Sequence, residues 1–239
     1  MKTAVLYKIF EIFANWSQHL PAVCSKGCSI CCSQNVTITA TEGEEILRFV
    51  IAENLAPWLA EKLTQPHTHR SATMTTNDFA NACLEGRETD SGDDNTHNIS
   101  PCPFLEENIC RIYPVRPFGC RLFASTERCS VTQPALLPNY YFEAASAVTQ
   151  IIEHLGQREY WGNMLDVLPA LLDINAFREI GDRVDQTMLI KARLRTLTAK
   201  PLPAFLLSEE DGEKVTELLE TIFSAQVEGK RLEDILNGH

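Results

Sequence analysis

Apolar side chains recur every third or fourth residue at both ends of the chain, a spacing that is typical of amphipathic helices. The first helix face is predicted near the N-terminus and consists of Val5, Ile9, Ile12, Phe13 and Trp16. From residue 139 onward, helix signals dominate the sequence. Three faces are predicted there: Tyr141, Ala144, Ala145, Val148, Ile151, Ile152 and Leu155, closed by Gly156; Trp161, Met164, Leu165 and Leu168, ahead of Pro169; and Val215, Leu218, Leu219, Ile222, Phe223 and Val227, capped by Ser208 and stopped by Gly229.

The segment between residues 36 and 64 shows first a strand-like and then a helix-like spacing of apolar residues. Residues 36–39, Val-Thr-Ile-Thr, alternate apolar and polar side chains like a short strand. Thr41 and Glu44 have the spacing of a capping box, which predicts a helix that begins there and continues through Ile51. A further helical stretch is predicted after Pro57.

Two irregular segments follow. Residues 86–100 are polar and acidic and show no periodicity, so they are predicted to form an exposed loop and the most protease-sensitive part of the chain. Residues 102–105 and 109–113 are short strand-like runs separated by Glu106-Glu107-Asn108, which predicts a small hairpin.

Together these patterns predict a mainly α fold with a small cysteine-rich module of irregular structure and β-hairpin. Three parts are expected: an N-terminal helix over residues 1–23, a cysteine-cluster metal-binding domain over 24–130, and a helical C-terminal region over 139–239 packed on it.

Composition and charge exclude several classes of protein. With 239 residues, of which 44% are hydrophobic, the chain can build a core without disulfides. Its net charge of −11, without a Lys/Arg stripe, argues against nucleic acid as a partner. No run approaches the roughly 20 apolar residues that cross a bilayer, and no signal peptide is recognised. We therefore predict a cytoplasmic protein with no membrane association and an undetermined oligomeric state.

Nine cysteines change this picture, because disulfides rarely persist in a reducing compartment. Thiolates there are more often metal ligands or catalysts. Buried cysteines that pack as small hydrophobic residues are the simpler alternative. They do not explain four cysteines within nine residues, namely Cys24, Cys28, Cys31 and Cys32.

The spacing of this first group is suited to metal. Cys28-x2-Cys31 lets one turn place two sulfurs on one metal or cluster, and Cys24 lies one turn upstream. If the backbone is extended at Cys32, its side chain is expected to point elsewhere, towards a second site or another iron of a cluster.

A second group consists of Cys102, Cys110, Cys120 and Cys129, separated by seven, nine and eight residues. Zinc ribbons usually carry two Cys-x2-Cys pairs, whereas this chain has one. Cys102 precedes a proline, as ligand cysteines do in some iron–sulfur motifs. Arg111, Arg116 and Arg121 lie near these cysteines and are candidates to stabilise an anionic cluster. An iron–sulfur cluster is favoured, and zinc stays open.

The pattern Cys-x3-Cys-x2-Cys-Cys, then Cys102-Pro-Phe-Leu, then Cys110-x-Ile-Tyr-x2-Arg-Pro-x2-Cys120-Arg resembles the zinc- or iron-chelating domain of the CxxCxxCC, or YkgJ-type, family over about residues 20–130. This chain departs from the name motif because three residues separate Cys24 from Cys28. The resemblance implies an iron–sulfur cluster, expected to be of the 4Fe–4S type, or zinc. The implied ligands are Cys24, Cys28, Cys31, Cys32, Cys102, Cys110 and Cys120. Cys83 and Cys129 lie outside the core motif and are further candidates only.

The resemblance also raises an enzymatic alternative. A related class, flagellin lysine N-methylase, is taken to combine an iron–sulfur cluster with S-adenosylmethionine, which implies a protein substrate or partner. Cys24-x3-Cys28-x2-Cys31 further matches the cysteine pattern of radical S-adenosylmethionine enzymes. Those enzymes need a barrel of alternating strands and helices, which the helical pattern after residue 139 does not predict. Glycine-rich nucleotide loops are absent, since no two glycines lie closer than six positions.

Overall fold

The computed structural model describes residues 1–89, 100–130 and 132–238. Eleven α-helices lie within these ranges, and the predicted mainly α fold with a small β component is confirmed. Most of the predicted loop at 86–100 lies outside the described residues. The helices are α1 (Lys2–Trp16), α2 (Ala40–Ala52), α3 (Ala56–Thr64), α4 (Thr76–Leu84), α5 (Phe118–Arg121), α6 (Asn139–Leu155), α7 (Met164–Ala170), α8 (Arg178–Gly181), α9 (Gln186–Arg195), α10 (Gly212–Ser224) and α11 (Leu232–Leu236).

Seven short strands form three antiparallel sheets in the same ranges. The strands are β1 (Thr37–Thr39), β2 (Leu105–Glu106), β3 (Ile109–Cys110), β4 (Tyr160–Asn163), β5 (Leu197–Thr198), β6 (Gln226–Val227) and β7 (Lys230–Arg231). The largest sheet has the order β1-β4-β5, with Ile38 opposite Gly162, and the other two are the hairpins β2-β3 and β6-β7.

Two predictions for the C-terminal region are wrong in detail. Trp161 lies in strand β4, and helix α7 begins only at Met164, where the Asn163 side chain accepts a hydrogen bond from the Leu165 N–H. The apolar spacing therefore spans a strand and a helix, and Pro169 lies inside α7. Likewise Val227 lies in a hairpin beyond α10, because that helix ends at Ser224.

The starts of two helices also differ from the prediction. Helix α2 is capped by Thr39 rather than Thr41, in a capping box that Thr39 forms with Glu42. The same S/T-x-x-E spacing occurs twice in this segment, and the end of strand β1 selects the first copy. Helix α10 is preceded by Asp211 as its N-cap, whereas Ser208 lies one turn earlier and accepts from the Asp211 N–H.

The predicted hairpin near Cys110 is present in a shorter form. Leu105 pairs with Cys110 and Glu106 with Ile109. The two turn residues, Glu107 and Asn108, have φ values of 50° and 64°, as a tight two-residue hairpin turn requires. Cys102 precedes this hairpin rather than belonging to its strands.

Two clusters of buried apolar side chains hold the elements together. One joins β1, α2 and α3 to α7 and α9, and the other joins α1 to α6, α10 and α11. Each cluster combines residues from before and after residue 139, so the C-terminal region packs against the rest of the chain. The domain limits given above stay a prediction.

None of the helices in the described ranges is both long and apolar enough to cross a membrane.

Candidate metal centre

The seven predicted ligands line one cavity of about 250 Å³. This cysteine cavity is lined by Cys24, Cys28, Cys31, Cys32, Cys102, Cys110 and Cys120. Some seventy residues separate the two groups of cysteines along the sequence. The fold nevertheless brings both groups to the same place, and all nine cysteines are free thiols.

The first group is carried by a loop of successive turns. The Cys28 N–H donates to the Ser25 carbonyl and the Cys32 N–H donates to the Ser29 carbonyl, each at 3.0 Å. Gly27 has a φ of +98°, a conformation that favours glycine. Cys32 was expected to point away from Cys31 if the backbone were extended there. The backbone turns at residues 29–32 instead, so this condition is not met. Both side chains face the cysteine cavity and hydrogen bond to each other.

Backbone contacts connect the two groups directly. The Cys102 N–H donates to the Cys32 carbonyl at 3.1 Å, and the Gln34 N–H donates to the Ser100 carbonyl at the same distance. Ser33 and Pro101 form an antiparallel bridge. The residues before Cys102 therefore run alongside the residues after Cys32, and this pairing fixes the two groups relative to each other.

Helix α5 supplies Cys120 and is positioned by two features. The Phe118 N–H donates to Glu42 Oε1 at 2.8 Å, which ties the start of α5 to the start of α2. Gly119 packs closely against β1. A Cβ atom at position 119 would lie 3.1 Å from Val36 Cγ1 and 3.3 Å from the Thr37 carbonyl oxygen. Glycine at this position thus allows α5 to approach the strand.

The thiols differ in burial, and burial raises the pKa of a thiol because it disfavours the charged thiolate. Burial raises the pKa of Cys102 to about 11 and also raises the pKa values of Cys110 and Cys120. The hydrogen bond between Cys31 and Cys32 raises the pKa of the Cys31 thiol and lowers that of Cys32. Cys32 is therefore the thiol of this pair that loses its proton first. A metal must displace protons from the buried thiols as it binds.

Of the three arginines near the second group, only Arg116 lines the cysteine cavity. Its guanidinium stacks on the Tyr113 ring, 4.1 Å from the centroid. The buried Arg116 Nε has no hydrogen-bond partner within the described ranges. Buried N–H groups are rarely left unpaired, so this donor fits a negatively charged group held by the cysteines. Arg121 instead donates to the carbonyls of Arg116 and Pro114.

The remaining two cysteines lie in different surroundings. Cys83 is exposed on helix α4 and does not line the cysteine cavity. Cys129 lies next to the first group, because it lines a neighbouring cavity together with Cys24 and Cys28. The wide spacing after Cys120 gave no sign of this proximity. Only the fold shows that Cys129 is close to the first group.

Across residues 1–89, 100–130 and 132–238, no three His, Cys, Asp or Glu side chains are gathered tightly enough to hold a metal ion. The cysteines surround a shared cavity without converging on one point. Thiols are the donors that iron–sulfur clusters and zinc prefer, so the donor set fits either group chemically.

Comparison with known proteins agrees with this donor set. Residues 23–136 match the family model described as "CxxCxxCC: Putative zinc- or iron-chelating domain". The matched segment contains all seven predicted ligands, so the resemblance to that family, which the motif predicted, is confirmed. No curated protein and no solved structure matches the chain.

Proposed function

We propose that residues 24–32 and 102–120 jointly hold an iron–sulfur cluster of the 4Fe–4S type. The observation that carries this proposal is that all seven cysteines of the two segments line one cavity. Neither segment encloses a site by itself, because the first is an exposed loop and the second is spread over a hairpin and a helix. The paired backbones at Cys32 and Cys102 give the shared site a fixed frame.

The size and charge of the cavity favour a cluster over a single zinc ion. A cavity that holds one water molecule needs a volume of only about 10–15 Å³. The cysteine cavity has a volume of about 250 Å³, so it has room for a group much larger than a single ion. The unpaired Nε of Arg116 adds a positive charge that an anionic cluster would meet.

Four of the seven thiols are the best-placed ligands. Cys32, Cys102, Cys110 and Cys120 act on one another electrostatically, and the last three also pack against the apolar core. These four draw on both segments, so a cluster bound to them would connect the loop to the core. When bound, such a cluster supplies electron transfer. The chain supplies the thiols, the Arg116 charge and the apolar walls.

The proposal is tested by purifying the protein without oxygen and measuring iron, acid-labile sulfide and zinc. We expect brown protein that contains iron and sulfide and gives a cluster signal in electron paramagnetic resonance after reduction. Cys102→Ser should lose most of the iron, whereas the matched variant Cys83→Ser should keep it. Colourless protein with stoichiometric zinc and no iron uptake on reconstitution would refute the cluster and support the zinc site.

The lysine N-methylase alternative stays a prediction, whereas the resemblance to radical S-adenosylmethionine enzymes loses support. The paired strands in the part of the chain that the structure describes are all antiparallel. A barrel of alternating strands and helices requires parallel strands. The described residues therefore do not form the barrel that the radical S-adenosylmethionine pattern requires.

A further inference from the structure

A second cavity, of about 430 Å³, lies between the loop after α3, helix α7 and helix α9. No cysteine lines it, so it is separate from the metal centre. We call it the His69 cavity, after one of the two histidines that line it. His69 is buried, since its side chain is 7% exposed.

His69 is buried without aligned hydrogen bonds. Its Nε2 lies 3.0 Å from Oδ1 of Asp166, whose side chain is 1% exposed. The contact is an ion-pair distance but not an aligned hydrogen bond, and both ring nitrogens lack a hydrogen-bond partner within the described ranges. Buried polar groups are rarely left without hydrogen bonds. A more than nine-tenths buried imidazole that lines a cavity and lacks such partners therefore points to a ligand that hydrogen bonds to it.

The carboxylates of the cavity are already engaged by the protein. Asp166 accepts a hydrogen bond from Ser71 Oγ at 2.9 Å and lies 3.7 Å from Arg195 Nη1. Asp185 caps helix α9, where it accepts from the Thr187 N–H at 2.7 Å. Neither carboxylate is therefore the free partner that a bound cation would need.

The cationic side chains are less engaged. Lys191 and Arg195 lie four residues apart on helix α9, so both lie on one helix face, and both line the cavity. Within the described ranges, Arg195 has one ion-pair contact, the 3.7 Å contact to Asp166, and Lys191 interacts electrostatically with Asp185. An ammonium, a guanidinium and a buried imidazole around one space form a set of hydrogen-bond donors suited to a carboxylate or phosphate group.

Apolar side chains complete the walls. Leu63, Leu165, Pro169 and Met188 line the same cavity. Its volume lies in the range of about 300–1,000 Å³ that small-molecule sites occupy, and such sites combine apolar walls with a few polar groups. The cavity is too large for an inorganic ion alone and has walls suited to an organic body.

We propose that the His69 cavity binds a small organic anion. Lys191, Arg195 and His69 hold its carboxylate or phosphate group, and Leu165 and Met188 contact its apolar part. Asp166 has a supporting role, because it holds His69 and Ser71 against helix α7. The site is independent of the cysteine cavity and would remain if the metal there were zinc.

The test uses full-length, metal-loaded protein and four probes: hexanoate, phenyl phosphate, inorganic phosphate and hexanol. Binding is followed by calorimetry and by the NMR signals of the histidine rings. We expect saturable binding of hexanoate or phenyl phosphate, with a shift of the His69 signals and weaker binding of the other two probes. Binding of hexanoate but not of phenyl phosphate would identify a carboxylate site. Binding of phenyl phosphate but not of hexanoate would identify a phosphate site.

The variant Lys191→Ala/Arg195→Ala should bind the preferred probe roughly five- to tenfold more weakly, as expected when two partly exposed cations are removed. Lys214→Ala removes a cation from helix α10 and serves as the matched control, with unchanged binding expected. The proposal is overturned if no probe binds, if hexanol binds as well as hexanoate, or if the double variant binds like the control. Zinc binding that depends on His69, without any response to the anions, would also overturn it.

Discussion

Glu42 offers the sharpest test of how the fold builds the cysteine cavity. Its side chain is 4% exposed, and its two carboxylate oxygens serve different elements. Oε2 accepts from the N–H and the hydroxyl of Thr39, and Oε1 accepts from the N–H of Phe118, two residues before Cys120. Glu42→Ala should therefore release α5 from α2 and displace one wall of the cavity.

The size of the effect follows from the donors that lose their acceptor. Two backbone N–H groups, those of Thr39 and Phe118, become unpaired. Each costs about 1–3 kcal/mol, which places the loss of unfolding free energy at roughly 2–6 kcal/mol. Burial also raises the pKa of Glu42, so removing the carboxyl relieves part of this cost. We expect a loss in the lower half of that range.

Glu153→Ala is the matched control. Glu153 is also a fully buried carboxylate, and it accepts from two backbone N–H groups, those of Asn77 and Lys200, each at 2.8 Å. It lies on helix α6 and does not line the cysteine cavity. Both variants should lose similar stability in urea denaturation of the metal-free protein, but only Glu42→Ala should lose metal during anaerobic gel filtration.

Two results would refute this reasoning. If Glu42→Ala retains metal as the parent protein does, the link from α2 to α5 does not position Cys120 for binding. If Glu153→Ala loses metal to the same extent, metal retention follows global stability and the Glu42 contact has no specific role.

Three further predictions concern the same region. Cys129→Ser should reduce the metal-to-protein ratio while Cys83→Ser leaves it unchanged, and equal ratios would exclude a role for Cys129. Gly119→Ala should lower stability by about 1–3 kcal/mol, because the added methyl overpacks α5 against β1, and should weaken metal retention. Gly212→Ala, whose Cβ would meet only an ordinary contact at 3.5 Å, is the control, and similar thermal unfolding of the two variants would contradict this. Chelation should increase hydrogen exchange in both cysteine segments but not in helices α6 and α10, and unchanged protection in both segments would show that metal does not bridge them.

The sequence alone predicted the elements whose signals are local. Helix α6 was predicted because its apolar residues repeat along one face and Gly156 follows its last turn. The hairpin at Cys110 was predicted because two short strand-like runs flank a short polar segment. The family motif likewise connected the two cysteine groups, although nothing in their spacing required them to lie together.

The missed features depend on contacts between distant residues. The choice of Thr39 over Thr41 as the cap follows from where β1 ends, and β1 ends where its pairing with β4 ends. Strand β4 is itself short, and Trp161 and Met164 imitate a helical spacing across its boundary. The role of Glu42 was missed, because its buried partner, the Phe118 N–H, is 76 residues away.

The burial of the thiols explains why the cysteines share a cavity without forming a closed metal site. Cys102, Cys110 and Cys120 pack against the apolar core and are held by the hairpin and by the Glu42 contact. Cys24, Cys28 and Cys31 are exposed on a loop made of turns, with few contacts to hold them. Cys32 lies between these two sets, joined to Cys102 by its backbone and to Cys31 by its side chain. The core therefore fixes one wall of the cavity, whereas the loop of residues 24–32 forms the other. Metal bound between the two walls is expected to order both segments, and the exposed loop more than the core-packed segment.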